Sequence, residues 1–193
     1  MKIDSIRDQI EQWKKESKIS LEEYYILVCS LVDAADFVAN ISGTYGAYLK
    51  IWRSMALKSL QLKVPKIFSN DKENEVYQED ANKLIRNISC DILYVDPPYN
   101  SRQYASNFHV LETLSVWDKA PLYGKTGLRD YSQQKSLYSS KREAVNAFED
   151  LITAANAKYI VLSYNNEGII PRDEIIRILS TKGNYKEYTT DYR

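Results

Sequence analysis

Cys90-Asp-Ile-Leu-Tyr-Val-Asp-Pro-Pro-Tyr-Asn-Ser-Arg-Gln-Tyr104 is the stretch whose reading decides the fold of this chain. An apolar run, Ile92 to Val95, ends abruptly in an acid, two prolines and an aromatic, as a buried strand does where it runs out at a sheet edge. Pro97 lacks an N–H, and Pro98 keeps Pro97 out of the helical region, so Asp96 to Tyr99 is held stiff and extended. A stiff, acid-headed turn at the end of a strand is where an α/β sheet places its ligands.

Working outward, Val76 to Asp80 is expected to be a strand closed by an acid, followed by a short helix through Ala81, Leu84 and Ile85. Beyond the prolines, Tyr104 to Trp117 reads as a helix. A capping box at Ser140 and Glu143 opens another, and Tyr159 to Tyr164 is an apolar strand. Pro171 starts a helix ending near Gly183, and Tyr185 to Arg193 is a further strand. The order from residue 75 onward, β-α-β-α-β-α-β, predicts a doubly wound, largely parallel sheet with Asp80 and Asp96 facing one crevice.

Residues 1–70 read differently. Ile3, Ile6, Ile10 and Trp13 recur at helical spacing, and the Ser20/Glu23 capping box opens a second helix over about 21–38 with Asp33 and Asp36 as solvated acids beside its stripe. Gly43 and Gly46 invite a phosphate-loop reading, but a helix rather than a strand precedes them, so a turn into a short helix is expected. The chain therefore divides into a helical region, 1–70, with a basic connection through Lys58, Lys63 and Lys66, and an α/β region, 71–193.

Composition sets bounds. The 26 Lys and Arg balance the 26 Asp and Glu, so any nucleic-acid surface must be local, with the Lys58–Lys66 connection and the polar Pro121–Ser140 segment as its candidates. The thiols of Cys29 and Cys90 are expected to be buried and unpaired in a reducing cytoplasm. No stretch approaches the roughly 18 apolar residues of a membrane span, so no membrane partner is expected. His109, the single histidine, is expected to be structural. No metal site is expected. Sixteen tyrosines against four phenylalanines suit surfaces that stack on flat ligands.

The turn also has a chemistry. An exocyclic amine on a heterocycle is a poor nucleophile because its lone pair is delocalised into the ring. A carboxylate (Asp96) and a rigid carbonyl (Pro97) accepting its hydrogens would hold the nitrogen more tetrahedral, and Tyr99 would stack on the ring.

These residues resemble a known family. Asp96-Pro97-Pro98-Tyr99 is similar to the motif of S-adenosylmethionine-dependent, adenine-N6-specific DNA methyltransferases, and Asn100 to Tyr104 resembles its continuation in the Dam-like branch. Asn40 to Leu49, His109 to Leu114, Gly124 to Asp130 and Leu162 to Gly168 resemble further stretches of that branch. The resemblance implies a Rossmann-like methyltransferase sheet preceded by an N-terminal helical region, with S-adenosylmethionine as cofactor and Asp80 binding it. It implies Asp96, Pro97, Pro98 and Tyr99 as the catalytic motif, and Tyr99, Asn100 and Arg102 as contacts to a flipped adenine of double-stranded DNA in a restriction-modification system. The first cofactor-binding strand and its glycine-rich loop have no counterpart here, which leads to the expectation of a C-terminal fragment or a split chain, inactive or weakly active alone, whose cofactor seat is completed by a second chain. The other readings are a non-catalytic DNA-binding or specificity subunit and an RNA- or amide-directed N-methyltransferase, although the latter favour Asn where this chain has Asp96.

Overall fold

The computed structural model describes residues 2–47 and 49–191. In chain order its elements are α1 (Lys2–Lys15), α2 (Leu21–Phe37), α3 (Ala81–Leu84), β1 (Ser89–Val95), α4 (Tyr104–Asn107), α5 (His109–Val116), α6 (Ala144–Ala154), β2 (Asn156–Leu162) and α7 (Arg172–Ser180), with short 3-10 turns between. They form two compact units: Met1–Glu73 with Tyr104–Gln134, and Asn74–Gln103 with Lys135–Arg193.

The first unit packs α1 on α2 through Ile10, Tyr24, Val28 and Leu31. The Ser20/Glu23 capping box is present, each residue's side chain accepting the other's backbone N–H. Arg7 is fully buried among these helices. Its Nε donates to the Leu114 carbonyl at 2.7 Å and its guanidinium to the Tyr24 hydroxyl at 2.8 Å and Glu11 at 2.7 Å, so one cation ties α1, α2 and α5 together. His109 is buried, both ring nitrogens against backbone carbonyls, Ser106 at 2.9 Å and Thr126 at 2.7 Å, in keeping with a structural role. The segment after α5 is ordered by a Tyr123–Leu128 bridge whose turn uses Gly124 and Gly127 at φ +68.

The second unit is mixed α/β around a two-stranded parallel sheet, β1 on β2, in register from Ser89↔Asn156 to Val95↔Leu162. Leu93, Val95, Ile160 and Leu162 face a core closed by Phe148, Ile152 and Ile178 of α6 and α7. The opposite face, Ile92, Tyr94, Tyr159 and Val161, is open, the first three more than 60 % exposed. The apolar run thus has the composition of a strand covered on both faces, but only one face is covered.

Two expected strands are not formed. Val76 to Asp80 is exposed and forms no strand, and Tyr185 to Asp191 has none either, while Tyr192 and Arg193 lie outside the described residues. A strand exists only through a neighbour's ladder, and neither segment has one. Asp80 accordingly does not close a strand. Helix 104–117 is broken at Phe108 into α4 and α5, and the expected Ser140/Glu143 capping box is not formed: the Ser140 carbonyl, not its hydroxyl, takes the Glu143 and Ala144 N–H groups, and Glu143 is the N-cap of α6 with no side-chain cap bond. Cys29 is exposed and Cys90 half-buried rather than interior, because Cys29 falls on the outer side of the α2 stripe. Among the described residues no helix is long and apolar enough to cross a membrane.

Candidate active site

The turn at the end of β1 is held at three points. Ser163 N–H, just past β2, donates to the Val95 carbonyl at 3.0 Å, extending the ladder to the last residue before Asp96. Ile169 N–H donates to the Tyr99 carbonyl at 2.9 Å. Gln103 and Ser136 exchange two hydrogen bonds, 3.1 Å from the Gln103 amide to the Ser136 carbonyl and 2.8 Å from Ser136 N–H to the Gln103 side-chain oxygen. Asn100 Oδ1 accepts the Arg102 N–H at 2.9 Å, so the Asn100 side chain shapes the turn from within.

Between these ties the chemical groups are free. Asp96 is exposed, and its carboxylate has no hydrogen-bond or ionic partner among the described residues. Pro97 and Pro98 are half-buried. Tyr99 is 40 % exposed, and its hydroxyl makes no hydrogen bond among the described residues. The Arg102 guanidinium is exposed and unpaired among them. An unpaired carboxylate, a proline carbonyl next to it in the chain and a partly exposed aromatic on a pinned loop are the groups that an amine on a flat ring needs.

The loop that holds Tyr99 is itself tightly built. The Tyr164 hydroxyl accepts Ile170 N–H at 3.0 Å, and its ring lies so close to Gly168 that a β-carbon there would fall 2.2 Å from a ring carbon and 2.9 Å from the Asn165 carbonyl oxygen. Gly168→Ala is therefore expected to lower the stability of this unit by about 1–3 kcal/mol and to speed amide hydrogen exchange at Ile169, measured by thermal unfolding and exchange NMR.

Asp80 belongs to the same unit. It is the N-cap of α3, its carboxylate accepting Lys83 N–H at 3.1 Å. Burial, together with the Asp80 and Asp150 carboxylates, pushes the Tyr138 phenol well above its ordinary range. Tyr138 therefore stays a donor, to Asn82 Oδ1 at 2.7 Å. Asp80 and Asp96 share no hydrogen-bond partner among the described residues. No set of three His, Cys, Asp or Glu that could hold a metal occurs among those residues. The ties through Gln103, Ser136 and Ile169 escaped the sequence reading; the glycine at 168, next to an asparagine turn, was the one local sign of a constrained loop.

Comparison with known proteins supplies the context. The family model described as D12 class N6 adenine-specific DNA methyltransferase matches residues 1–178. The chain is 48 % identical to the type II methyltransferase M.FokI of Planomicrobium okeanokoites, covering all of this chain and 30 % of that protein. It is 47 % identical to the type II methyltransferase M.NlaIII of Neisseria lactamica, with 57 % of that protein covered, and 45 % identical to the modification methylase StsI of Streptococcus sanguinis, with 28 % covered. The chain thus spans between about a quarter and somewhat over half the length of these relatives. No solved structure matches it.

Proposed function

The chain belongs to the D12 class of N6-adenine-specific DNA methyltransferases, and from that premise we propose that it carries the target-base site of an enzyme that methylates the N6 amine of adenine in double-stranded DNA within a restriction-modification system. The observation that carries this is the unpaired Asp96 carboxylate beside the Pro97 carbonyl on a loop fixed at Val95, Tyr99 and Gln103. Asp96 and the Pro97 carbonyl accept the two amine hydrogens and turn the nitrogen lone pair out of conjugation. Tyr99 stacks on the extruded ring, repaying part of the few kcal/mol that unstacking costs. Asn100 sets the turn, and Arg102 meets the adjoining backbone.

The family uses S-adenosylmethionine, which when bound supplies a methyl group activated by a sulfonium. Asp80 suits its ribose: it is exposed, and its carboxylate, an acceptor only, has lone pairs left beyond the one that takes the Lys83 N–H to accept hydroxyls. We place the chain in a Rossmann-like sheet, in the cytoplasm, with the rest of the cofactor seat supplied by further polypeptide, a second chain included. The open apolar face of Ile92, Tyr94, Tyr159 and Val161 supports that completion.

Calorimetric titration with S-adenosylmethionine, paired with methyl transfer to adenine-containing duplexes, tests the reading. Weak cofactor binding by this chain, strengthened together with transfer when the remaining polypeptide is added, is expected. DNA binding with no cofactor binding in the complete assembly would make it a specificity subunit, and transfer to RNA alone would make it a related enzyme. In the active assembly Tyr99→Ala is expected to weaken base capture roughly tenfold, whereas Tyr99→Phe stays within about twofold, since stacking and not the unbonded hydroxyl is used. Fluorescence of a 2-aminopurine in place of the adenine reports the capture.

A further inference from the structure

The first unit holds a cavity that this activity leaves unused. It measures about 270 Å³ and is lined by Asp36 and Phe37 at the end of α2, by Arg53 and Met55, and by Phe108. Its wall is built by hydrogen bonds. The Asn40 amide donates to the carbonyls of Leu49 at 3.2 Å and Ile51 at 3.3 Å, while its oxygen accepts Arg53 N–H at 3.0 Å, so a single side chain holds Leu49, Ile51 and Arg53. Tyr45 N–H is held by the Asn107 carbonyl at 2.7 Å, and the Tyr45 hydroxyl donates to Asp36 Oδ1 at 2.8 Å. Burial and the Asp36 carboxylate push the Tyr45 phenol far up, so it remains a donor that orients Asp36.

Asp36 and Arg53 carry opposite charges into one cavity, yet no ion pair joins them, and the Arg53 guanidinium has no partner among the described residues. An acceptor and a donor that line one cavity but are left unjoined suit an external partner offering the reverse pattern. The major-groove edge of a G·C pair offers it: two acceptors on guanine, O6 and N7, beside the N4 amine donor of cytosine. Local charge favours the same partner. From Phe37 to Asn70 the sequence has five cations, Lys50, Arg53, Lys58, Lys63 and Lys66, and no carboxylate, although the chain as a whole is neutral. Trp52 is 67 % exposed within this run.

We propose that this cavity is a specificity site that reads one G·C pair of the DNA, Arg53 donating to guanine and Asp36 accepting from cytosine, at a position other than the methylated adenine. The proposal rests on the DNA methyltransferase reading above and adds to it the sequence-discriminating residues. The test incubates the chain at low salt with duplexes randomised on both sides of a single adenine and sequences the bound fraction. One position is expected to favour G·C by about tenfold or more. Arg53→Ala and Asp36→Asn should each flatten that position, whereas Lys63→Ala should weaken binding to every sequence alike and reduce its salt dependence. Both substitutions are at exposed side chains, and unchanged thermal unfolding confirms that the variants fold. The proposal is overturned if the preference survives both variants, if binding selects no position, or if the chain binds none of the pool. Failure of the methyltransferase reading is seen separately, in the cofactor titration with the unmodified sequence.

Discussion

Asp96→Ala is expected to lower kcat for methyl transfer by at least about 10²–10³-fold in the active assembly while leaving DNA affinity within about twofold. The carboxylate is exposed and bonds to nothing else among the described residues, so its removal leaves no buried group unpaired and thermal unfolding should be unchanged. The loop geometry survives too, because its ties run through the Val95 and Tyr99 carbonyls and the Gln103 side chain. In the proposed role, what is lost is one of two acceptors on the target amine, whose lone pair returns to the ring. Single-turnover transfer and equilibrium DNA binding separate the effects. Transfer at the unmodified rate would remove Asp96 from the chemistry, and a large loss of affinity would make it a binding group.

Arg7→Ala is the second large effect, and it acts on folding. The side chain is fully buried, and its loss takes a donor from the Leu114 carbonyl and the Tyr24 hydroxyl and leaves Glu11 with the Tyr24 hydroxyl alone. Breaking such a set costs about 3–5 kcal/mol, a large part of the 5–15 kcal/mol that holds a typical domain folded. Urea unfolding followed by tryptophan fluorescence measures it; Trp117 is one of the three reporters, its ring 5.5 Å from the Arg7 guanidinium. The loss also carries a pH signature. Burial opposes ionisation of Glu11, but the hydrogen bonds from Arg7 and Tyr24 outweigh it and hold its carboxyl below the ordinary range. A depressed folded-state value means that the unfolded chain takes up the proton first. The stabilisation is present above the ordinary glutamate range, near pH 4.3, and is lost as the pH falls through the lower folded-state value. In Arg7→Ala that acid-sensitive part should shrink, leaving only what the Tyr24 hydroxyl supplies. An unfolding midpoint equal to that of the unmodified chain at neutral pH would show that Arg7 is dispensable.

Local signals were legible in the sequence and partnerships were not. The Ser20/Glu23 capping box places α2 because both of its bonds lie within four residues. The motif strand was found because an apolar run broken by Pro97 and Pro98 can end only there. Val76 to Asp80 failed as a strand because alternation says nothing about whether a neighbouring ladder exists. Arg7 carries no sign of burial in the sequence, since its burial depends on carbonyls more than a hundred positions away. In the candidate site, Asp96 to Tyr99 stood out by residue type, but the ties that give the turn its shape come from Ser136, Ser163 and Ile169, none of which carries a chemical mark.

The tie between Tyr99 and Ile169 also has a consequence for how the molecule comes into being. A parallel pair cannot close until both strands and the crossing helix exist, and here Ser89 pairs with Asn156. The motif leaves the ribosome early, but its last anchor follows 70 residues later, from 99 to 169. At about 5–20 residues per second that is an interval of roughly 4–14 seconds during which the turn has been synthesised but has no shape. Rare codons placed between the two strands would lengthen that interval, and the yield of native protein would register the delay.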